Sequence, residues 1–134
     1  MTLTETIVAV AIMATTIAIA TPSLLRAKEI YVLQSAGRMV ESRMHSARIH
    51  AVTRNRDCRI NVTSLTSYAV ECQGSAWETI ETITLPRGLT ISASARPEFH
   101  ERGNVAPTAT ITVWDSMGHS MRVIVNVNGR VRVQ

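Results

Sequence analysis

The chain has 134 residues, enough for one modest domain. Fourteen Lys/Arg against ten Asp/Glu leave a formal net charge of +4. That balance favours acidic partners only weakly and carries no information about the fold.

The charges are unevenly placed. From Thr6 to Leu25 there are twenty residues without an Asp, Glu, Lys, Arg or His. As a helix rising about 1.5 Å per residue, that run spans roughly 30 Å, the thickness of a bilayer core. Its threonines are compatible with this, because a helical Thr hydroxyl bonds a preceding carbonyl. Glu5 is the one ionisable side chain before Arg26. A carboxylate at the edge of such a run is costly and calls for a partner. No Lys or Arg precedes the run and no clear small-residue cleavage site follows it, which argues against a secretory leader. Two readings remain open on composition: an anchor starting at its own initiator Met, and the exposed end of a processed chain. Pro22 removes a backbone donor and opposes the carbonyl of Ala18, so a kink or a locally opened turn is expected there. Carbonyls freed in lipid need neighbouring helices or hydroxyls to satisfy them.

The helical pattern continues past Arg26. Ile30, Leu33, Gly37, Val40, Met44, Ala47 and Ala51 recur every three or four residues and form one apolar stripe. Arg38, Glu41, Arg43 and Arg48 fill most of the remaining surface, and the helix is expected to fade near residues 55–57. Beyond Cys58 the period changes to that of strands. SYAVEC (67–72), WETIETITLP (77–86), LTISAS (89–94), TATITVWD (108–115), HSMRVIVNV (119–127) and RVRVQ (130–134) are short and rich in Val, Ile and Thr. Asn128-Gly129 suits a type I′ hairpin turn. Met121, Val123, Val125 and Val127 are expected on one face, and ARPEFHERGNVAP (95–107) reads as an exposed loop.

Cys58 and Cys72 are too far apart for a CxxC redox motif. Beside an anchor and an exported head, a structural disulfide is favoured; in a reducing compartment the two would be free thiols. The expected class is therefore α+β. Residues 1–25 form the transmembrane half of a long N-terminal helix, 26–56 its amphipathic half, and 57–134 a small antiparallel β head with one disulfide.

Leu3, Glu5, the apolar run and Pro22 together resemble the N-terminus of the type IV pilin and type II secretion pseudopilin superfamily. The downstream pattern YAVEC…W…TITLPRGLTIS and TATITVWDSMGHSMRVIVNVNGRVRV is similar to the H-type pseudopilin and DNA-uptake minor-pilin branch. Met1 departs from the family's usual Phe, and Ala14 from a common Gly. The resemblance implies that a prepilin peptidase cleaves before Met1 and methylates its amine. It implies that Glu5 pairs with the terminal amine of an adjacent subunit during assembly, with Met1, Glu5 and Pro22 as the assembly residues. Pairing the two charges offsets much of the cost of burying each alone. The competing reading leaves Glu5 at headgroup level beside its own helix N-terminus. Alanines 9, 11, 14, 18 and 20 favour close helix approach.

The function implied is structural: a minor pilin or pseudopilin subunit of a type IV pilus or a pilus-like secretion filament, with a major pilin as an alternative. The implied partners are other pilin or pseudopilin subunits, the prepilin peptidase and an inner-membrane assembly platform. The implied location is the bacterial inner membrane, then a pilus or periplasmic pseudopilus. A second alternative is DNA uptake: the terminal GRVR resembles the arginine-rich tail of DNA-binding relatives, with Arg130 and Arg132 about 7 Å apart on one strand face. No catalytic residues, cofactor or small-molecule substrate are expected. His45 and His50 are poorly spaced for shared metal binding, and His100 with Glu98 and Glu101 in a loop does not make a ligand set, so no metal is expected either. The basic run Arg38, Arg43, Arg48, Arg54, Arg56 and Arg59 reads as solvated helix surface or as contacts to neighbouring heads.

Overall fold

The computed structural model describes residues 2–134, and Met1 lies outside the described residues. The chain divides into two compact units at the Tyr31/Val32 boundary. Helix α1 (Leu3–Arg54) makes up the first unit and supplies the first element of the second.

In the first unit α1 runs unbroken through Pro22. Threonine hydroxyls bond back into the helix: Thr16 to the Ile12 carbonyl and Thr21 to the Ile17 carbonyl, each at 2.7 Å. These are the hydroxyl bonds that keep Thr polarity internal in an apolar helix. Ile30 belongs to this unit and is 46% exposed, so the apolar stripe of the head begins at Leu33 and not at Ile30.

In the second unit Leu33, Ala36, Gly37, Val40, Met44, Ala47 and Ala51 are buried. Their spacing of three and four residues keeps them on one face. Gly37 makes room for Met121: a Cβ there would meet the thioether, which would have to move. The helix ends where Asn55 takes the left-handed conformation (φ 51°) and the Arg56 amide bonds the Ala51 carbonyl at 3.1 Å. That is the six-to-one bond of a Schellman cap.

The head contains two antiparallel four-stranded sheets. The first joins β1 (Cys58–Ser64), β2 (Ser67–Gln73), β3 (Trp77–Thr84) and β5 (Glu98–Phe99) in the order β3-β2-β1-β5. The second joins β4 (Thr90–Ala93), β6 (Ala109–Trp114), β7 (Ser120–Val125) and β8 (Val131–Val133) in the order β4-β6-β7-β8. Alternate residues of both sheets, among them Ile60, Tyr68, Ile91, Ile111, Val113 and Val123, join the helix stripe in one core. The α+β class and the long helix packed on an antiparallel head are as the sequence predicts.

Three local expectations need correction. Residues 95–107 are not an exposed loop: Pro97, Phe99 and Val105 are buried, β5 pairs with β1, and Phe99 bridges Val105. Val127 does not share the Val123 face; β7 stops at Val125 and Val127 is 56% exposed. The Asn128-Gly129 turn is not type I′, which needs positive φ at both central residues. Only Gly129 has it (φ 72°), while Asn126 and Arg130 close a three-residue loop through an amide bond of 3.0 Å. That is a type I turn completed by a left-handed glycine.

Candidate functional site

At the start of α1, Thr2 and Glu5 satisfy each other. The Thr2 amide donates to Glu5 Oε2 at 2.7 Å, the Thr2 hydroxyl donates to the same oxygen at 3.1 Å, and the Glu5 amide approaches the Thr2 hydroxyl at 3.4 Å. Thr-x-x-Glu is a capping box, in which side chains at both ends of the first turn bond the free amides. Sequence reading singled out Glu5 but missed Thr2, although the spacing alone is the signature. Below the cap, Leu3, Ile7, Val10, Met13, Ile17 and Leu24 are all exposed. The helix is long and apolar enough to cross a membrane. In water such a surface is unstable; it requires lipid or other apolar helices around it.

Cys58 and Cys72 are bonded to each other and sit directly opposite in the β1–β2 ladder, with Cα atoms 4.0 Å apart. On the other face of the same ladder lies Glu71. Its carboxylate accepts from Arg59 Nε at 2.7 Å and from Asn61 Nδ2 at 2.9 Å, and the Arg59 guanidinium stacks 4.0 Å from the Trp77 ring centroid. Burial pushes the Glu71 carboxyl up, but the Asn61 and Arg59 hydrogen bonds and the charges of Arg59 and Arg96 outweigh it and hold the group below its ordinary value. Tyr68 is fully buried on the inner face, its hydroxyl has no partner among the described residues, and burial pushes it up to about 12.

Several arginines of the helical basic run have partners within the head. Arg43 pairs with Glu81 at 2.9 Å, and Arg48 donates to the carbonyls of Asn128 and Gly129 at 3.2 and 3.3 Å. Arg48 thus clamps the turn that precedes β8. Arg130 and Arg132, beyond that turn, are exposed and line one open groove of about 470 Å³ with Ile124, Asn126, Asn128 and Gln134. Among the described residues, no Asp or Glu side chain lines it.

The histidines fall into distinct settings. His119 contacts Asp115 at 2.7 Å across a turn whose Met117 and His119 amides also bond the Asp115 carboxylate. Burial pushes the Asp115 carboxyl up, and the His119 and Met117 bonds outweigh it and hold the group low. His100 approaches Asp57 at 3.1 Å, and Glu98 lies beside them, with ligand-type atoms of all three within 4.8 Å of one another. The sequence places His100 beside Glu98 and Glu101; the structure replaces Glu101 by Asp57, from the turn before β1. No local motif signals this grouping, since it depends on the β1–β5 register.

No protein-family model matches the chain, and no curated protein matches it in sequence. Solved structures do match it in three dimensions. The minor pseudopilin EpsH from the type 2 secretion system of Vibrio cholerae superposes with a TM-score of 0.68 at 13% identity, over 76% of this chain and 95% of that one. The type IV minor pilin FimU of Pseudomonas aeruginosa gives a TM-score of 0.66 at 18% identity, covering 79% of this chain and 90% of its own. GspH of E. coli gives 0.63 at 9% identity, covering 81% and 87%. The chain has the pilin-like fold. At these identities the likeness lies in architecture, and side chains are not carried across. The pilin-like head nevertheless accounts for one arrangement seen here: the amphipathic end of the helix serves as a core element and the two sheets cover it.

Proposed function

We propose that the chain is a structural subunit, a minor pilin or pseudopilin, that assembles through its N-terminal helix into a type IV pilus or a pilus-like secretion filament. The observation that carries this reading is a helix with an exposed apolar surface and a single early carboxylate, joined to a head of the pilin-like fold. Before assembly the helix lies in the bacterial inner membrane with the head exported; afterwards the chain lies in a pilus or periplasmic pseudopilus. A prepilin peptidase exposes and methylates the amine of Met1, and the inner-membrane platform delivers the subunit to its neighbours.

In this reading Glu5 exchanges its Thr2 cap for the terminal ammonium of an adjacent subunit. In a low-dielectric helix bundle the paired charges are much less costly than either alone. Pro22 and the small alanines allow close packing of neighbouring helices. A non-closing, head-to-tail contact then propagates the filament. The test is incorporation: Glu5→Ala should remain in the membrane fraction and disappear from sheared filaments. Recovery of the variant in filaments at the unsubstituted level refutes the proposal.

A second reading, DNA contact, is favoured by the groove that Arg130 and Arg132 line, into which no Asp or Glu side chain of the described residues enters. Two phosphate contacts contribute about −1.8 to the slope of log affinity against log salt. Mobility shifts of the detergent-solubilised chain at several salt concentrations test it. Replacing both arginines by alanine should weaken binding and flatten that slope; unchanged binding removes the role.

A further inference from the structure

The geometry points to a divalent transition-metal site, best matched to Zn²⁺, formed by Asp57, Glu98 and His100. It is independent of the assembly reading, because all three ligands lie in the head.

The grouping follows from strand register. β1 and β5 pair antiparallel with Cys58 opposite Phe99 and Arg59 opposite Glu98. One step further along the same register sets Asp57 opposite His100. Glu98 is two residues from His100 and so projects from the same face of the ladder. The three ligand-type side chains are therefore brought together by backbone pairing between two separate segments. Their donor atoms all lie within 4.8 Å of one another. His100 Nδ1 and Asp57 Oδ1 are 3.1 Å apart. Neighbouring ligands held about 2.0–2.2 Å from zinc at near-tetrahedral angles are separated by roughly 3.0–3.6 Å. One pair already has that spacing, and a Glu98 oxygen lies within 4.8 Å of both.

The backbone under each ligand is held. The Gln73 amide donates to the Asp57 carbonyl at 2.7 Å, the Ala106 amide to the Glu98 carbonyl at 3.1 Å, and the His100 amide to the Asn104 carbonyl at 2.9 Å. Asp57 also adjoins Cys58, which the disulfide ties to β2. All three ligands are partly exposed, and Asp57 and His100 line an open groove of about 590 Å³ that admits an ion and its remaining water. An imidazole with two carboxylates suits zinc better than magnesium or calcium, which prefer oxygen throughout. Arg56 and Arg102 line the same groove and oppose a cation, so the affinity is moderate. The bound ion is a clamp: it fastens the 98–105 segment to the turn that precedes β1.

The experiment is a ZnCl₂ titration of the full chain in detergent micelles, in a non-chelating buffer. It is read by calorimetry and by the histidine ring signals of the ¹⁵N-labelled protein. One ion per chain is expected, with His100 as the perturbed ring. Glu98→Gln and His100→Gln should each weaken binding by about tenfold or more, whereas His119→Gln should leave it unchanged. No saturable binding below about 100 µM, undiminished binding in both ligand variants, or perturbation of the His119 ring in place of His100 overturns the site. If a substituted chain fails to fold, the ring signals of the unsubstituted protein decide.

Discussion

Thr2 and Glu5 close the first turn of α1 on each other, with the Thr2 amide 2.7 Å from Glu5 Oε2. The carboxylate proposed to recognise another subunit is thus held by its own chain beforehand. Thr2→Ala removes the hydroxyl from both of its bonds with Glu5. The expected loss is about 1 kcal/mol at the helix start. Amide exchange at Glu5 and Thr6, followed by NMR in micelles, should accelerate roughly fivefold on that basis. Unchanged exchange would show that the cap contributes nothing.

The Cys58–Cys72 bond closes a loop across one hairpin, at a sequence separation of 14. In the chain-entropy account a loop of that size contributes about 3 kcal/mol. Replacing both cysteines by alanine should lower the urea stability of the head by about that amount. Trp77 and Trp114 both lie in the head, so their fluorescence reports its unfolding without interference from the apolar helix.

Glu71 is expected to make the head acid-sensitive. Burial opposes its ionisation, but Asn61 and Arg59 reverse that and hold its carboxyl below the unfolded value of 4.5. A depressed carboxyl contributes stability that is present above the unfolded pKa and lost as pH falls through the folded one. Urea midpoints should therefore hold steady down to about pH 5 and then fall. Glu71→Gln should cost about 1–3 kcal/mol at pH 7, because Arg59 loses its partner, and the acid-dependent loss should shrink. An equal acid slope in both proteins contradicts this assignment.

Phe99 is fully buried although its strand has two residues. Phe99→Ala should cost about 3–5 kcal/mol by leaving a cavity between β1 and the 97–105 segment. Thermal unfolding measured by circular dichroism checks it. A loss below about 1 kcal/mol would mean that the segment is held by other contacts.

The long helix and six strands are legible because their side chains carry the period. Leu33 to Ala51 repeat at three and four, and 77–84, 109–114 and 120–125 are rich in β-branched residues. β1 is missed although Cys58, Ile60 and Val62 alternate with Arg59, Asn61 and Thr63 as a half-buried strand requires; β5 is missed because two residues carry no period at all. The capping role of Glu5 is written in Thr2-x-x-Glu5, but the same carboxylate serves either the cap or a neighbouring chain, and spacing does not separate the two. Asp57, Glu98 and His100 form no motif in sequence. They meet only once the β1–β5 register is known. The division of the head's strands into two sheets is not legible, since nothing local distinguishes strands of one sheet from those of another.

The proposed pairing of Glu5 with an adjacent subunit is tested most directly by electron cryomicroscopy of native filaments that contain this chain. The account predicts a Glu5 carboxylate oxygen within about 3–4 Å of a neighbouring chain's terminal nitrogen, the range of a close ion pair. A Glu5 side chain still folded onto its own Thr2, with that terminal nitrogen elsewhere, would contradict it.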